Sequence, residues 1–137
     1  FDIAAGNADF DDPDDSIEAP GIYEPAGWWI RDSVWHKPLF EHSDFGREVF
    51  NRWCGLVRDH VTDDLGAMID ATVATIGAGP ITRNFARWPI LGVWVQPNHF
   101  VGATYEEEVN YLKTWLSQRV AWMDAEYRQE FGTCPTP

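Results

Sequence analysis

The stretch TYEEEVNYLKTWLSQRVAWMD, Thr104 to Asp124, constrains the fold of this chain most, because no other segment is as long, as periodic or as clearly capped. The Thr104 hydroxyl is placed to accept from the amide of Glu107 while the Glu107 carboxylate reaches back to the amide of Thr104, a capping box. Glu106, Glu107 and Glu108 then occupy the first turn, where the helix dipole favours negative charge. Val109, Leu112, Leu116, Val120, Met123 and Tyr127 follow at steps of three or four, one stripe of a helix with 3.6 residues per turn. Tyr111, Trp115 and Trp122 widen that stripe, as in a helix embedded in a domain rather than a coiled-coil seam. The pattern predicts a helix from Thr104 to about Tyr127 with Leu112, Trp115, Leu116 and Val120 inward. Arg119 falls inside the apolar arc, where an uncompensated charge is costly. It is therefore expected to meet a carboxylate or stack on an indole, in an architectural role.

The rest of the composition fits one domain around such a helix. The chain has 137 residues, with eight tryptophans, eight phenylalanines and four tyrosines to fill a core. A net charge of -12 and the lack of a basic stripe argue against nucleic acid as a partner. No apolar run has the length of a membrane span. The acid is concentrated at the start: every charged residue up to Glu24 is acidic, and the first base is Arg31. The opening string FDIAAGN reads like a strand end and its turn, so a piece of a longer protein is expected. Cys54 lies on a helical pattern with Phe50, Trp53 and Val57 and reads as a buried thiol; a bond to Cys134 is left open.

Taken in order, residues 1–7 read as a short strand ending at the Gly6-Asn7 turn, with Asp2 projecting from the core. Residues 8–25 form an acidic, proline-containing segment that reads as a solvated loop. A calcium loop is the alternative, but Pro13 and Asp14 stand where an EF-hand beginning at Asp9 wants a ligand and its glycine. Residues 26–137 read as helical. One of Trp28 and Trp29 is expected to pack inward while the other covers the loop, a stacking platform for a base or sugar being the alternative. Ser43 is expected to cap a helix bearing Val49, Phe50, Trp53, Leu56, Val57 and Val61, and Thr62 a second one bearing Leu65, Met68, Ile69, Val73 and Ile76. Gly77, Gly79 and Pro80 are expected to stop it. Thr82 to Trp88 is a short helix ended by Pro89, and Val93 to Val95 reads as extended. The fold class is mainly α with a minor β element.

Catalytic spacing is sparse. His36, His42, His60 and His99 show no HExxH spacing and no pairing with cysteine at zinc-ligand intervals. No serine stands in a Gly-x-Ser-x-Gly elbow, and Gly77-Ala78-Gly79-Pro80 lacks the lysine of a phosphate loop. The remaining candidate is Asp2, a carboxylate at a strand end beside a glycine-containing turn, where phosphoryl-transfer enzymes hold magnesium.

Four segments in sequence order, FDIAAGN, GWWIRDSVWHKPLFEHSDFGREVFNRW, NFARWPILG and YEEEVNYLKTWLSQRVAWMD, resemble the CotH family, spore-coat protein H and its relatives, which are atypical protein kinases. The resemblance covers nearly the whole chain, least of all the acidic segment. It implies the helical C-terminal part of an atypical protein-kinase-like fold, transferring the ATP γ-phosphate to serine or threonine of a spore-coat or cell-surface protein. Asp2 matches the family's metal-binding aspartate and is the implied ligand of Mg2+ and ATP. The nucleotide lobe and the catalytic base are implied to lie upstream, so the missing N-terminal lobe is an expected partner and the chain by itself is expected to be inactive. The reading from a different class is a non-catalytic helical binding module with an aromatic surface for protein or glycan.

Overall fold

The structure, a computed structural model, describes residues 23–28, 30–96 and 98–134. The expected strand at Phe1–Ile3, the Asp2 turn and the acidic segment as far as Ile22 lie outside them. The described part is mainly α, with no strand among the described residues. Its helices are α1 (Lys37–Phe40), α2 (Ser43–Arg52), α3 (Arg58–Ile76), α4 (Ala78–Arg87) and α5 (Tyr105–Phe131).

Helix α5 is the longest, at 27 residues, and begins as its sequence predicts. The Thr104 side chain accepts from the Glu107 amide at 3.1 Å. The return bond differs in register: the Glu107 carboxylate takes the amide of Ala103 at 2.7 Å, and Glu108 takes that of Gly102 at 2.7 Å. Two loop donors ahead of the helix are thereby satisfied in addition to the one inside it. The helix runs one turn beyond Tyr127 and stops at Gly132, whose positive φ of 90° turns the chain away.

Trp115, Leu116, Val120, Met123 and Tyr127 are buried, as the stripe predicts. Leu112 is not: it is 45 % exposed. It lies on the same stripe as Leu116 one turn nearer the start of α5, so the burial of that face does not extend as far as Leu112.

Helices α2 and α3 form one run, joined through a π-helical turn at Trp53–Val57 in which the Arg58 amide bonds the Trp53 carbonyl. Ser43 is therefore the first residue of α2, not its cap, and Thr62 starts nothing. The capping reading of Thr62-Asp63-Asp64 fails because an uninterrupted backbone ladder leaves no free amides there to cap. The wide turn adds one residue. With that residue discounted, Trp53 and Val61 are about two turns apart and both pack toward the core. Phe50, Trp53, Val120, Met123 and Tyr127 form this core, with Trp28, Val49, Trp122 and Phe131 around it.

Gly77, at φ 69°, ends α3 as expected, but Gly79 and Pro80 belong to the first turn of α4, where Pro lacks only an amide that has no helical partner. Phe85 packs on Tyr105 at 5.9 Å between ring centroids, while Trp88 caps α4 and stays 59 % exposed. Cys54 is not a free thiol. It is bonded to Cys134, across 80 positions of sequence.

Candidate functional site

The described chemistry of this molecule is concentrated where α5 receives the segment Tyr23–Trp28, the continuation of the acidic amino-terminal region. Trp115, Arg119 and Trp122 recur at steps of four and three, so they project from one side of α5. The Trp115 indole N–H donates to the carbonyl of Tyr23 at 2.7 Å. One guanidinium nitrogen of Arg119 donates to the carbonyls of both Pro25 and Gly27, each at 2.7 Å. Two carbonyls from positions so close in sequence meet one nitrogen because the chain turns at Gly27, whose φ of 105° belongs to the region that favours glycine.

Arg119 is fully buried, at 0 % exposure. Its charge is met by carbonyl dipoles and by the faces of Trp122 and Trp28, at 4.8 and 5.8 Å from the ring centroids. The expectation of an indole partner holds, and carbonyls stand where a carboxylate was the alternative. Charge-assisted bonds of this kind contribute about 1.5–3 kcal/mol each, enough to fix an irregular segment on a helix face.

Stacked rings continue the seat toward the start of α5. Tyr23 lies flat on His99 at 3.6 Å, and Phe100 on Tyr111 at 4.2 Å. Burial holds the Tyr111 phenol above its ordinary pKa, helped by the charges of Glu24 and then Glu108, so Tyr111 is a neutral phenol at physiological pH. At the opposite end Arg31 makes a two-point ion pair with Glu130, at 2.7 and 2.9 Å, and lies over Phe40 and Trp28. Residues 23–28 and Arg31 are thus bound along α5 by backbone carbonyls, rings and one ion pair.

What this arrangement does is hold and orient. Among the described residues there is no group of three His, Cys, Asp or Glu side chains that could hold a metal ion. The histidines do not converge: His36 bonds Ser33, His60 bonds Asp64, and His99 stacks on Tyr23. Asp2, which the family resemblance implies as the ligand of Mg2+ and ATP, lies outside the described residues. No single helix among the described residues is long and apolar enough to cross a membrane; Asp63–Ile76 and Ala78–Arg87 pass that test only together, and they are bent by 79°.

Trp115 and Arg119 were legible as buried residues of α5, and an indole beside Arg119 with them, but the carbonyls they bind were not, because a backbone carbonyl leaves no mark in a sequence. The stretch that contains this seat decides the family. The family model for CotH kinase protein matches residues 10–123. The chain belongs to the CotH kinase family. No curated protein and no solved structure matches it. The CotH match takes in the carbonyl clamp, from Tyr23, Pro25 and Gly27 to Trp122, and leaves Asp2, Glu130 and Cys134 outside it.

Proposed function

We propose that this chain is the helical part of a CotH-like protein kinase that transfers the ATP γ-phosphate to serine or threonine of a spore-coat or cell-surface protein. The observation that carries the reading is the CotH kinase match over residues 10–123. In this reading Asp2 would hold Mg2+, which when bound would supply positive charge against the phosphate oxygens. The chain's own contribution is placement. Trp115 and Arg119 fix the carbonyls of Tyr23, Pro25 and Gly27 on a rigid helix, and so anchor the downstream end of the segment that begins with Asp2. Positioning of this kind is a large part of what a kinase supplies, because the transferred phosphoryl group requires little covalent chemistry from the protein.

The exposed apolar surface supports a larger assembly of the same protein. Trp35 is 82 % exposed and Trp94 is 63 % exposed, with Val34, Trp88, Ile90 and Val93 exposed as well. In the proposed kinase these faces pack against the remaining part of the catalytic domain, which carries the nucleotide lobe and the catalytic base. The same tryptophans are what a non-catalytic protein- or glycan-binding module would use, and phosphate transfer separates the two readings.

The test is transfer of radiolabelled γ-phosphate to protein. The full-length kinase is expected to transfer it, and the 137-residue chain alone is not. Asp2→Asn in the full-length enzyme is expected to lower turnover by about two orders of magnitude or more, as for other preorganised electrostatic groups. Asp11→Asn and Asp14→Asn are expected to leave it within about a few-fold, as changes on a solvated face do. Full activity in the Asp2 variant together with loss in a loop variant would move the metal ligand into the acidic segment; no transfer by the full-length protein would leave the binding module.

A further inference from the structure

The disulfide joins two features that otherwise have no common purpose. Cys54 stands in the π-helical turn between α2 and α3, and Cys134 lies three residues beyond the end of α5. The wide turn is a departure from α-helical geometry of a kind that occurs mostly as single turns inside α-helices, frequently at functional sites. Gly132, at φ 90°, turns the chain after α5, and Cys134 two residues later meets Cys54 with their Cα atoms 5.5 Å apart. Both cysteines pack against the core formed by Phe50, Trp53, Val120, Met123 and Tyr127. Two further contacts hold the same neighbourhood: the Trp53 indole N–H donates to Asp124 at 3.3 Å, and Arg47 donates to the Phe131 carbonyl at 3.0 Å.

We propose that the Cys54–Cys134 bond is a redox latch that fastens the end of α5 to the α2–α3 run, so that this domain reaches its full stability only in an oxidising compartment. Closure of a loop of 80 positions removes more chain entropy from the unfolded state than a short loop does. Disulfides persist outside the reducing cytosol, and a bond that encloses α3, α4 and α5 is of little use to a protein that never leaves it. The latch closes by exchange with a small-molecule disulfide such as glutathione disulfide. One thiolate of the protein attacks a glutathione sulfur and expels one glutathione thiolate; the second protein thiolate then attacks the mixed disulfide and expels the other. One S–S bond is formed and one broken, the two cysteines are oxidised, and two glutathione molecules leave reduced. Reduction by a dithiol reverses the sequence.

The test uses the full chain after equilibration with either glutathione disulfide or dithiothreitol. Trypsin cleavage after Arg52, Arg58 and Arg128 places Cys54 in the peptide Trp53–Arg58 and Cys134 in Gln129–Pro137. The oxidised sample is expected to yield these two peptides as one cross-linked species by mass spectrometry without reduction, and as separate peptides after it. Its thermal midpoint is expected to lie about 10–20 °C above that of the reduced sample. Cys134→Ser is expected to melt with the reduced parent and to ignore dithiothreitol. Two free thiols in the folded chain after glutathione disulfide, or a midpoint that does not move on reduction, overturns the proposal. Reduction of the folded parent gives the same comparison without any substitution, so the test does not depend on the variant folding.

Discussion

The indole N–H of Trp115 donates to the carbonyl of Tyr23 at 2.7 Å, and one turn further along α5 Arg119 does the same for Pro25 and Gly27. A segment with no regular structure of its own is thus held by side chains of a helix that lies some ninety positions later in the chain. The consequence is that residues 23–28 depend on α5 for their position.

Replacing Arg119 with Ala removes the donor from two carbonyls and empties a fully buried site between Trp28 and Trp122. A loss of about 3–5 kcal/mol is expected from denaturant titration, the range for stranding the partners of a buried charge. Arg119→Lys keeps the charge but not the planar fork or the ring stacking, and is expected to lose about half as much. Equal stability of the Ala variant and the parent would show that the clamp contributes nothing.

Leu116 and Leu112 stand four apart on α5 and separate the core from its edge. Leu116→Ala is expected to cost about 2–5 kcal/mol through lost transfer energy and a residual cavity. Leu112→Ala, at a position 45 % exposed, is expected to stay within about 0.5 kcal/mol of the parent. The two denaturant midpoints check this directly, and a reversal of their order removes Leu116 from the core.

Glycine offers a second paired comparison. A Cβ at Gly46 would lie 2.9 Å from Cζ of Phe131, a ring stacked on Phe50 at 5.3 Å and therefore slow to yield. Gly46→Ala is expected to destabilise by about 1–3 kcal/mol, more than the helix propensity it gains. At Gly66, inside α3, an added Cβ meets nothing within 4 Å. Gly66→Ala is expected to stabilise by about 0.5–1 kcal/mol, and a fall in its thermal midpoint would contradict the open space seen there.

How much of this was legible in the sequence follows from what kind of interaction each part uses. Helix α5 announced itself because a cap and a periodic stripe are local, and the Thr104–Glu107 bond confirms the first. The α2–α3 run did not, since Thr62-Asp63-Asp64 has the composition of a cap and only the backbone ladder reveals that the helix continues through it. The orientation of Leu112 was missed because periodicity gives a face but not how far along the helix that face is covered. The bond between Cys54 and Cys134 required the turn at Gly132 and the packing of both ends on one core, neither of which two cysteines display by themselves. Asp2, the residue on which the proposed chemistry rests, lies outside the described residues and stands on the family resemblance.

Tyr111 gives a pH dependence whose sign can be fixed in advance. Its pKa is raised in the fold by burial, then by Glu24 and Glu108. Below the ordinary tyrosine value of about 10 both folded and unfolded chains carry the proton, and the contribution is intact. As pH climbs past it the unfolded chain releases the proton while the fold retains it, so stability falls until the folded pKa is passed. The thermal midpoint of the parent is expected to drop more steeply above about pH 10 than that of Tyr111→Phe. Parallel curves would assign the alkaline loss to other groups.

The exposed tryptophans provide the last prediction, which concerns the larger assembly. Trp94 is 63 % exposed in the connection between α4 and α5, where Trp88, Val93 and Val95 are exposed as well. An isolated chain loses little when such a side chain is shortened, because water already covers most of it. Trp94→Ser in the 137-residue chain is therefore expected to leave stability within about 0.5 kcal/mol. In the full-length kinase, where the proposed catalytic domain covers this connection, the same change removes an aromatic anchor from an interface and is expected to cost about 2 kcal/mol or more. Thermal midpoints of the two proteins, each compared with its own parent, decide the matter: a loss confined to the full-length protein places Trp94 against the rest of the kinase, and the same small effect in both leaves that tryptophan free for a separate partner.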